Sequence, residues 1–563
     1  MNIQDNEVRV IVNKLTDLLR AEKIDDNCEK LYVGDEIIDS INNQQNQVIY
    51  GRRGSGKTIL LRTFQEKLIS SYDDKKWIPI YLDLRKILPL ISSGIEDKSL
   101  TSVLLFKHLI IELFNSIIEN IKFIFFLSDF SNISNVLEKT KSEAFFNVLD
   151  TLNLHIQGSL ISKLGDIEFS EEEIVKIAAS LNIASNPSAL LQFARDTVQK
   201  TVDKKIKYIS FSDINIAFSN LNNLLNNAKI VFLLDEWSEI DLEIQPYLAE
   251  LLKRSFIASN LILKIAAIPR RTSMSFEQNG KRYGLEDGGD IFSVPIDDKF
   301  VYEINPAQTR LFFNNMLYKH FKFYSESIVE PYFDDQKGIN QNFINEFLTN
   351  HALSDIFVAS AGIPRDFLNI FVRSFLNYIA STTKPESRIG IKDIREATVI
   401  WYETDKKKEI DKNAETKLLL EKIVQKIVLE KKRAQFLIPN KISNDKNIQR
   451  LIDLRVLHLR KSGYSHQDNV GVVYNIYSID YGCYSSLNLQ RSMLNTNIID
   501  QINIIQDFRE LRRISFEEED LTRFYLEIGE AIKCPHCQAI VYTSHPAFLK
   551  KGLCSNCYEK INN

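Results

Sequence analysis

A chain of 563 residues with 44% hydrophobic content is long enough for several domains with real cores. Its net charge of −4 excludes a global electrostatic pull toward nucleic acid, so any such binding has to come from a local patch. The polar start Met1-Asn2-Ile3-Gln4-Asp5 carries no signal-like segment, and the most apolar run, Ser102 to Phe126, is broken by Lys107, His108, Glu112, Glu119 and Lys122. No span of the ~20 apolar residues that a membrane helix requires is expected, and the reading is of a cytoplasmic protein without membrane contact.

Residues Glu7 to Arg20 place Val8, Val10, Ile11, Leu15, Leu18 and Leu19 at helical spacing. The strand-like Val48-Ile49-Tyr50 then runs into Gly51-Arg52-Arg53-Gly54-Ser55-Gly56-Lys57-Thr58, a G-x-x-x-x-G-K-[ST] match, followed by the helical pattern from Ile59. Gly51, Gly54 and Gly56 free the backbone to point N–H groups at phosphate oxygens, and the helix adds its positive dipole end. Lys57 is expected on the β/γ-phosphates of ATP and the Thr58 hydroxyl on Mg²⁺.

Trp77 to Leu84 reads as a further core strand, with Pro79 arguing against a central position. Residues from about 88 to 210 read as a mainly helical insertion without a chemical motif. The apolar run Ile230-Val231-Phe232-Leu233-Leu234 ends in Asp235-Glu236, a Walker B pattern. Such a strand carries its acids to the edge where ligands bind in open α/β sheets. Asp235 is expected in the Mg²⁺ shell and Glu236 as the general base, which implies hydrolysis rather than binding alone.

A helix over Ile244 to Ala258 and a strand over Leu261 to Ile268 follow. The next residues, Pro269-Arg270-Arg271-Thr272-Ser273, leave two readings open. Thr272 or Ser273 meets the γ-phosphate or attacking water and Arg270 or Arg271 a phosphate, or the segment is an ordinary basic turn. Asn279 to Asp290 reads as a loop, Ile291 to Ile296 as the last core strand, and Pro306 to Asn377 as mostly helical. Within that helical part, Gly362-Ile363-Pro364-Arg365 puts an arginine where a helix begins.

Lys406-Lys407-Lys408 reads as a solvated linker run. Helices over Thr416 to Lys432 and Asn444 to Arg455, the short Phe436-Leu437-Ile438, and a hairpin of Val456 to Arg460 with Gly471 to Tyr477 match a winged helix. On its second helix Ile448, Leu451, Ile452 and Leu454 are expected to pack, leaving Lys446, Asn447, Gln449, Arg450 and Arg455 for a DNA groove and Arg460 and Lys461 at the wing. The alternative is a small domain that packs on protein and reads no DNA.

GRRGSGKT, LLDE and GIPRDFL in this order, followed by the winged-helix pattern, resemble the AAA+ ATPases related to the origin-recognition-complex initiators; the STAND signalling ATPases are similar. The resemblance spans roughly 35–480. It implies a sensor-2 role for Arg365 and a sensor-1 role for the strand after Leu261. The sequence departs from the pattern twice: Lys57 and Asp235 lie far apart, and no arginine finger stands out among Arg254, Arg270, Arg271 and Arg282.

Near the C-terminus, Cys534-Pro535-His536-Cys537 and Cys554-Ser555-Asn556-Cys557 form two C-x₂-C knuckles with space for a hairpin between them. Four thiolates suit a closed, structural Zn²⁺ site, with His536 facing solvent; Cys28 and Cys483 read as ordinary buried thiols. The expected fold is α/β: an N-terminal helical segment (1–34), a P-loop NTPase core with a parallel sheet and helical insertion (35–300), a helical lid (301–405), a winged-helix-like domain (410–485), and a helix with a zinc ribbon (486–563). The expected function is an ATPase whose nucleotide state controls binding of double-stranded DNA. The second reading is a signalling or defence switch acting on a protein partner or in a homo-oligomer.

Overall fold

The structure, a computed structural model, describes residues 2–19, 27–88, 228–296, 305–381, 387–465, 471–486 and 511–561, short of a few single positions, and scattered positions among 24–222. Most of the insertion, including most of the apolar run Ser102 to Phe126, lies outside the described residues. Among the described residues no helix is long and apolar enough to cross a membrane. The chain divides into two units: Ile24–Gly51 with Gly56–Ile296, and Met1–Lys23 with Arg52–Ser55 and Asp297–Asn563.

The first unit is built on β1 (Gln47–Tyr50), β2 (Trp77–Asp83), β3 (Lys229–Asp235), β4 (Ile262–Ala267) and β7 (Phe292–Pro295), in the order β2-β3-β4-β1-β7. All four pairings are parallel, so every strand ends at the same edge of the sheet. Continuous apolar runs suit strands covered on both faces, and β3 and β4 are buried almost throughout. Pro79, which has no N–H for a ladder, sits in β2 at the sheet's edge. Phe256 fixes one side of the core, its ring 5.1 Å from Phe232 and 5.4 Å from Phe218. Part of the loop expected at Asn279 to Asp290 is a hairpin instead: β5 (Ser275–Gln278) pairs antiparallel with β6 (Lys281–Gly284). Its turn falls on Gly280 at φ +71, so the glycine that suggested a loop closes two short strands. Helix α1 (Lys57–Ser70) follows the P-loop, and α2 (Gln245–Leu252) continues as a π-helical stretch, Lys253–Ile257.

The second unit begins with a helical group: α3 (Pro306–Tyr324), α4 (Asn350–Ser360), α5 (Pro364–Ser381) and α6 (Ile391–Trp401), with the short antiparallel pair β8 (Phe333–Asp334) and β9 (Gly338–Ile339) between α3 and α4. Phe313 stacks at 4.3 Å on Phe367 and at 5.5 Å on Phe357, joining α3, α4 and α5 through aromatic faces. A winged helix follows, with α7 (Ala414–Val424), β10 (Gln435–Pro439), α8 (Asn440–Ser443), α9 (Lys446–Asp453), β11 (Leu457–Ser465) and β12 (Val473–Ile479). Its antiparallel sheet runs β10-β12-β11. The chain then returns to the free edge of β10, where the Leu437 N–H donates to Ile514 O at 2.8 Å and the Phe516 N–H to Leu437 O at 2.9 Å. Helix α10 (Glu518–Glu527) and a small module of β13 (Ala531–Lys533), β14 (Ile540–Tyr542) and α11 (Pro546–Lys551) complete the unit.

Candidate nucleotide and metal sites

The P-loop leaves β1 at Gly51, whose N–H donates to Ala267 O at 3.1 Å. Gly54 and Gly56 both take positive φ, +85° and +94°, the region in which a side chain is strained. At Gly54 the requirement is double, because a Cβ there would stand 3.0 Å from Arg365 Cβ and 3.2 Å from Ile363 Cγ2. The turn closes with the Ser55 N–H on Arg52 O at 3.1 Å, and the Lys57 ammonium donates to Gly51 O at 2.7 Å. Ser55 Oγ is buried with no hydrogen-bond partner among the described residues. A buried hydroxyl of that kind beside turned-in backbone amides is what a phosphate oxygen would satisfy. Arg53 is exposed.

Asp235 ends β3 and is fully buried. Its Oδ2 accepts from Tyr81 OH at 2.8 Å, its Oδ1 accepts the Glu236 N–H at 2.8 Å, and Thr58 hydrogen-bonds to it from the start of α1. Burial pushes this carboxyl up, opposed by the bonds from Thr58 and Tyr81 and by the charge of Lys57. A hydroxyl and a carboxylate drawn together are hard oxygen donors, and the pair fits Mg²⁺. Glu236 sits at φ +58, a sparsely populated conformation for a residue with a side chain. Burial and the neighbouring Asp235 raise its carboxyl above the ordinary range, with Arg85 and Lys57 pulling the other way.

Sequence reasoning missed Tyr81 and Arg85. Arg85 holds Asp83 through Nη2 at 2.7 Å and reaches Glu236 Oε1 at 3.6 Å, so the tip of β2 steers the Walker B acids. The signal was present: Tyr81-Leu82-Asp83 ends its strand in register with Leu233-Leu234-Asp235. Because β4 lies between β1 and β3, its tip falls between the P-loop and those acids. There Thr272 Oγ1 donates to Ile268 O at 2.9 Å and lies 3.1 Å from Ser238 Oγ, which accepts the Ile268 N–H at 2.7 Å. Ser273 N–H goes to Gln245 Oε1 at 2.8 Å. Among the arginines considered as fingers, Arg254 is paired with Glu250 at 2.5 Å.

In the second unit, α5 begins at Pro364, and the Arg365 N–H donates to Gly54 O at 3.3 Å. Arg52 donates through Nη2 to Ala361 O at 3.1 Å and approaches His458 Nδ1 at 3.4 Å. His458 Nε2 lies 3.0 Å from Asp480 Oδ2, and burial drives the imidazole down to about 3. A neutral ring with Nε2–H on the carboxylate leaves Nδ1 as the acceptor Arg52 needs. Lys406 bridges Asp480 at 2.6 Å and Asp366 at 3.2 Å, and Arg455 pairs with Asp366 and Asp405. Two expectations are corrected here. Lys406, read as part of a solvated run, is 2% exposed, and Arg455, read as a groove residue, is 6% exposed. Two buried carboxylates hold them because burying an unpaired charge is costly.

The winged helix departs from expectation further. Arg460 is buried, with Nε on Ser478 Oγ at 2.7 Å, and Asn447 is buried beneath Thr416 and Tyr525. Gln449 bonds to Ser443 O, and Lys446 is paired with Glu530 and Glu415. Ile448 and Leu451 pack as expected, whereas Ile452 and Leu454 are half-buried; Arg450 and Lys461 are exposed.

Cys534, Cys537, Cys554 and Cys557 gather their sulfurs within 4.8 Å of one another. Cys534 Sγ lies 3.7 Å from Cys557 Sγ, and Cys537 Sγ 3.7 Å from Cys554 Sγ. A disulfide needs ~2.05 Å. Tetrahedral thiolates at ~2.3 Å from zinc stand ~3.8 Å apart, so the cluster has the dimensions of a Zn²⁺ site. Hydrogen bonds from the Ala539 backbone N–H and then the Asn556 amide lower the Cys537 thiol, whereas the sulfurs crowded around Cys557 raise that one, as expected of four thiols gathered together. His536 is exposed and outside the cluster, and Cys28 and Cys483 are buried and in no disulfide.

The family described as ORC-CDC6-like matches residues 15–357, more than half of the chain. Among curated proteins there is no match. Among solved structures the chain is similar to the Orc1 protein of Aeropyrum pernix in complex with DNA, at 11% identity over 88% of this chain and 98% of that one. The TM-score is 0.30.

Proposed function

Because the chain belongs to the ORC-CDC6-like family of AAA+ ATPases, we propose that it binds Mg²⁺–ATP in the Gly51–Thr58 loop, hydrolyses it, and uses nucleotide state to control engagement of double-stranded DNA by its winged helix. The observation that carries the catalytic part is the buried Asp235 hydrogen-bonded to Thr58, with Glu236 beside it on a strained backbone. Mg²⁺, held by Thr58 and Asp235, would supply charge neutralisation at the phosphates. Lys57 and the loop amides position the phosphates, and Glu236 accepts a proton from the attacking water. Arg365, whose N–H rests on Gly54, senses the γ-phosphate through charge-assisted hydrogen bonds that hydrolysis removes. The neighbouring Asp366 passes that difference to Arg455 at the start of the wing hairpin. The four-cysteine cluster holds one structural Zn²⁺.

A second reading, a switch acting on a protein partner, is favoured by the internal pairing of Lys446, Arg455 and Arg460. Duplex-DNA binding by the full chain, measured by mobility shift with ATP, with ADP and for Glu236→Gln, separates the two. Binding that differs between nucleotides, and that Glu236→Gln locks in its ATP form, is expected. No duplex binding in any state decides for the protein partner.

A further inference from the structure

The second helix of a helix-turn-helix pair reads DNA with its N-terminal residues. In α9 those residues are Lys446 and Asn447. Both are engaged by the segment that follows the winged helix. Glu530 Oε1 meets the Lys446 ammonium at 2.8 Å. The Asn447 amide lies 3.4 Å from the hydroxyl of Tyr525, which itself donates to Asp445, the residue capping α9. Asn447 is 3% exposed, covered by Tyr525 from this segment and by Thr416 of α7, whose hydroxyl lies 2.9 Å from its Oδ1.

The same segment engages three further lysines of the winged helix. Glu518 takes Lys441 at 2.8 Å, Asp520 takes Lys426, and Glu527 takes Lys422 at 2.6 Å. From Glu517 to Glu530 the chain holds six carboxylates against the single Arg523. The segment is anchored by means unrelated to charge. Leu521, Phe524 and Tyr525 are buried, and residues 514–516 add to the free edge of β10. The carboxylates are thus presented to the lysines by a fixed helix, at the spacing its backbone imposes.

We propose that α10 and the turn to Glu530 act as an internal mimic of DNA phosphate, occupying the lysine face and the base-reading end of the winged helix and so lowering its affinity for duplex DNA. The proposal rests on the DNA reading above. The lysines pair while remaining partly in solvent, the Lys446 and Lys441 side chains 59% and 75% exposed. Exposed pairs of this kind are weak and screened by salt, so a duplex can compete for them. Each lysine freed for a phosphate contact also adds to the release of counterions from DNA.

The test compares the full chain with the triple variant Glu518→Gln, Glu527→Gln, Glu530→Gln, which keeps side-chain shape and leaves Asp520 to cap α10. A control triple, Glu277→Gln, Glu326→Gln and Glu396→Gln, changes net charge equally at exposed acids on other elements. Binding to one labelled duplex is measured against salt concentration. The α10 triple should bind about tenfold tighter or more than both wild type and control at low salt. Its log–log salt slope should be steeper by about 2 to 3. Equal affinity of the α10 and control triples overturns the mimic. If Arg450→Ala and Lys461→Ala weaken binding in that case, the DNA reading itself stands. Absence of binding in every variant overturns both.

Discussion

The tip of the parallel sheet and the helix pair of the winged helix treat charge in opposite ways. At the tip, Lys57, Thr58, Asp235 and Glu236 come from the starts and ends of different elements and converge on one edge, because every strand is parallel and ends there. In the winged helix, Lys446, Arg455 and Arg460 are each consumed by a carboxylate or hydroxyl of their own unit. A charge placed by backbone geometry keeps its job whatever surrounds it. A charge inferred to face outward on a helix keeps its job only if nothing packs over that face.

The comparison breaks most sharply at the P-loop. Lys57→Ala should lower ATP turnover by about 10³-fold while leaving thermal stability nearly unchanged, because its proposed role is on the phosphates of the nucleotide. A turnover within threefold of wild type, by phosphate release, would refute the site. The four-cysteine module sharpens the contrast from the other side, since there the proposed metal would serve the fold alone. Cys534→Ser should release zinc, detected by elemental analysis, and abolish hydrogen-exchange protection across residues 531–561 while ATP binding persists. Retained metal, or lost ATP binding, would contradict this division.

The buried pairs of the second unit should behave as structure. Asp366→Asn leaves Lys406 and Arg455 facing each other with one carboxylate fewer, and should cost about 3–5 kcal/mol in urea unfolding. A loss below about 1 kcal/mol would mean that the pairs are more solvated than their burial indicates. The smallest expected effect is on pH dependence. Burial pushes His320, bonded through Nδ1 to Met316 O, from 6.5 down to about 4. The unfolded chain therefore binds the proton first, so its contribution is whole above pH 6.5 and is lost as pH falls toward 4. That loss approaches about 3 kcal/mol. His458 is shifted the same way, to about 3, and extends the decline. His320→Leu should flatten the melting temperature between pH 6.5 and 4; an unchanged slope would exclude His320 as its source.

How much was legible follows from these differences. The P-loop, the Walker B strand, the edge position of Pro79 and the two cysteine knuckles were readable because each depends on a local rule. Glycine alone takes φ +85 at Gly54, proline lacks a ladder donor, and a knuckle needs two thiols in one turn. The hairpin at Ser275–Gly284 was missed because its polar, glycine-containing strands carry no apolar alternation.

The sequence by itself determined where a glycine-rich loop would run into a helix, which strand would end in paired acids and which four sulfurs would gather, since backbone conformation and short spacing decide all three. Only the tertiary structure decided that Tyr81 and Arg85 hold the Walker B carboxylates. It also decided that Lys406 and Arg455 are interior and that an acidic helix meets the lysines of the winged helix. The physical reason is common to all three. A charged side chain is settled by whichever opposite charge the fold brings within hydrogen-bond reach, and those partners lie tens to hundreds of residues away in sequence, beyond the range of any local pattern.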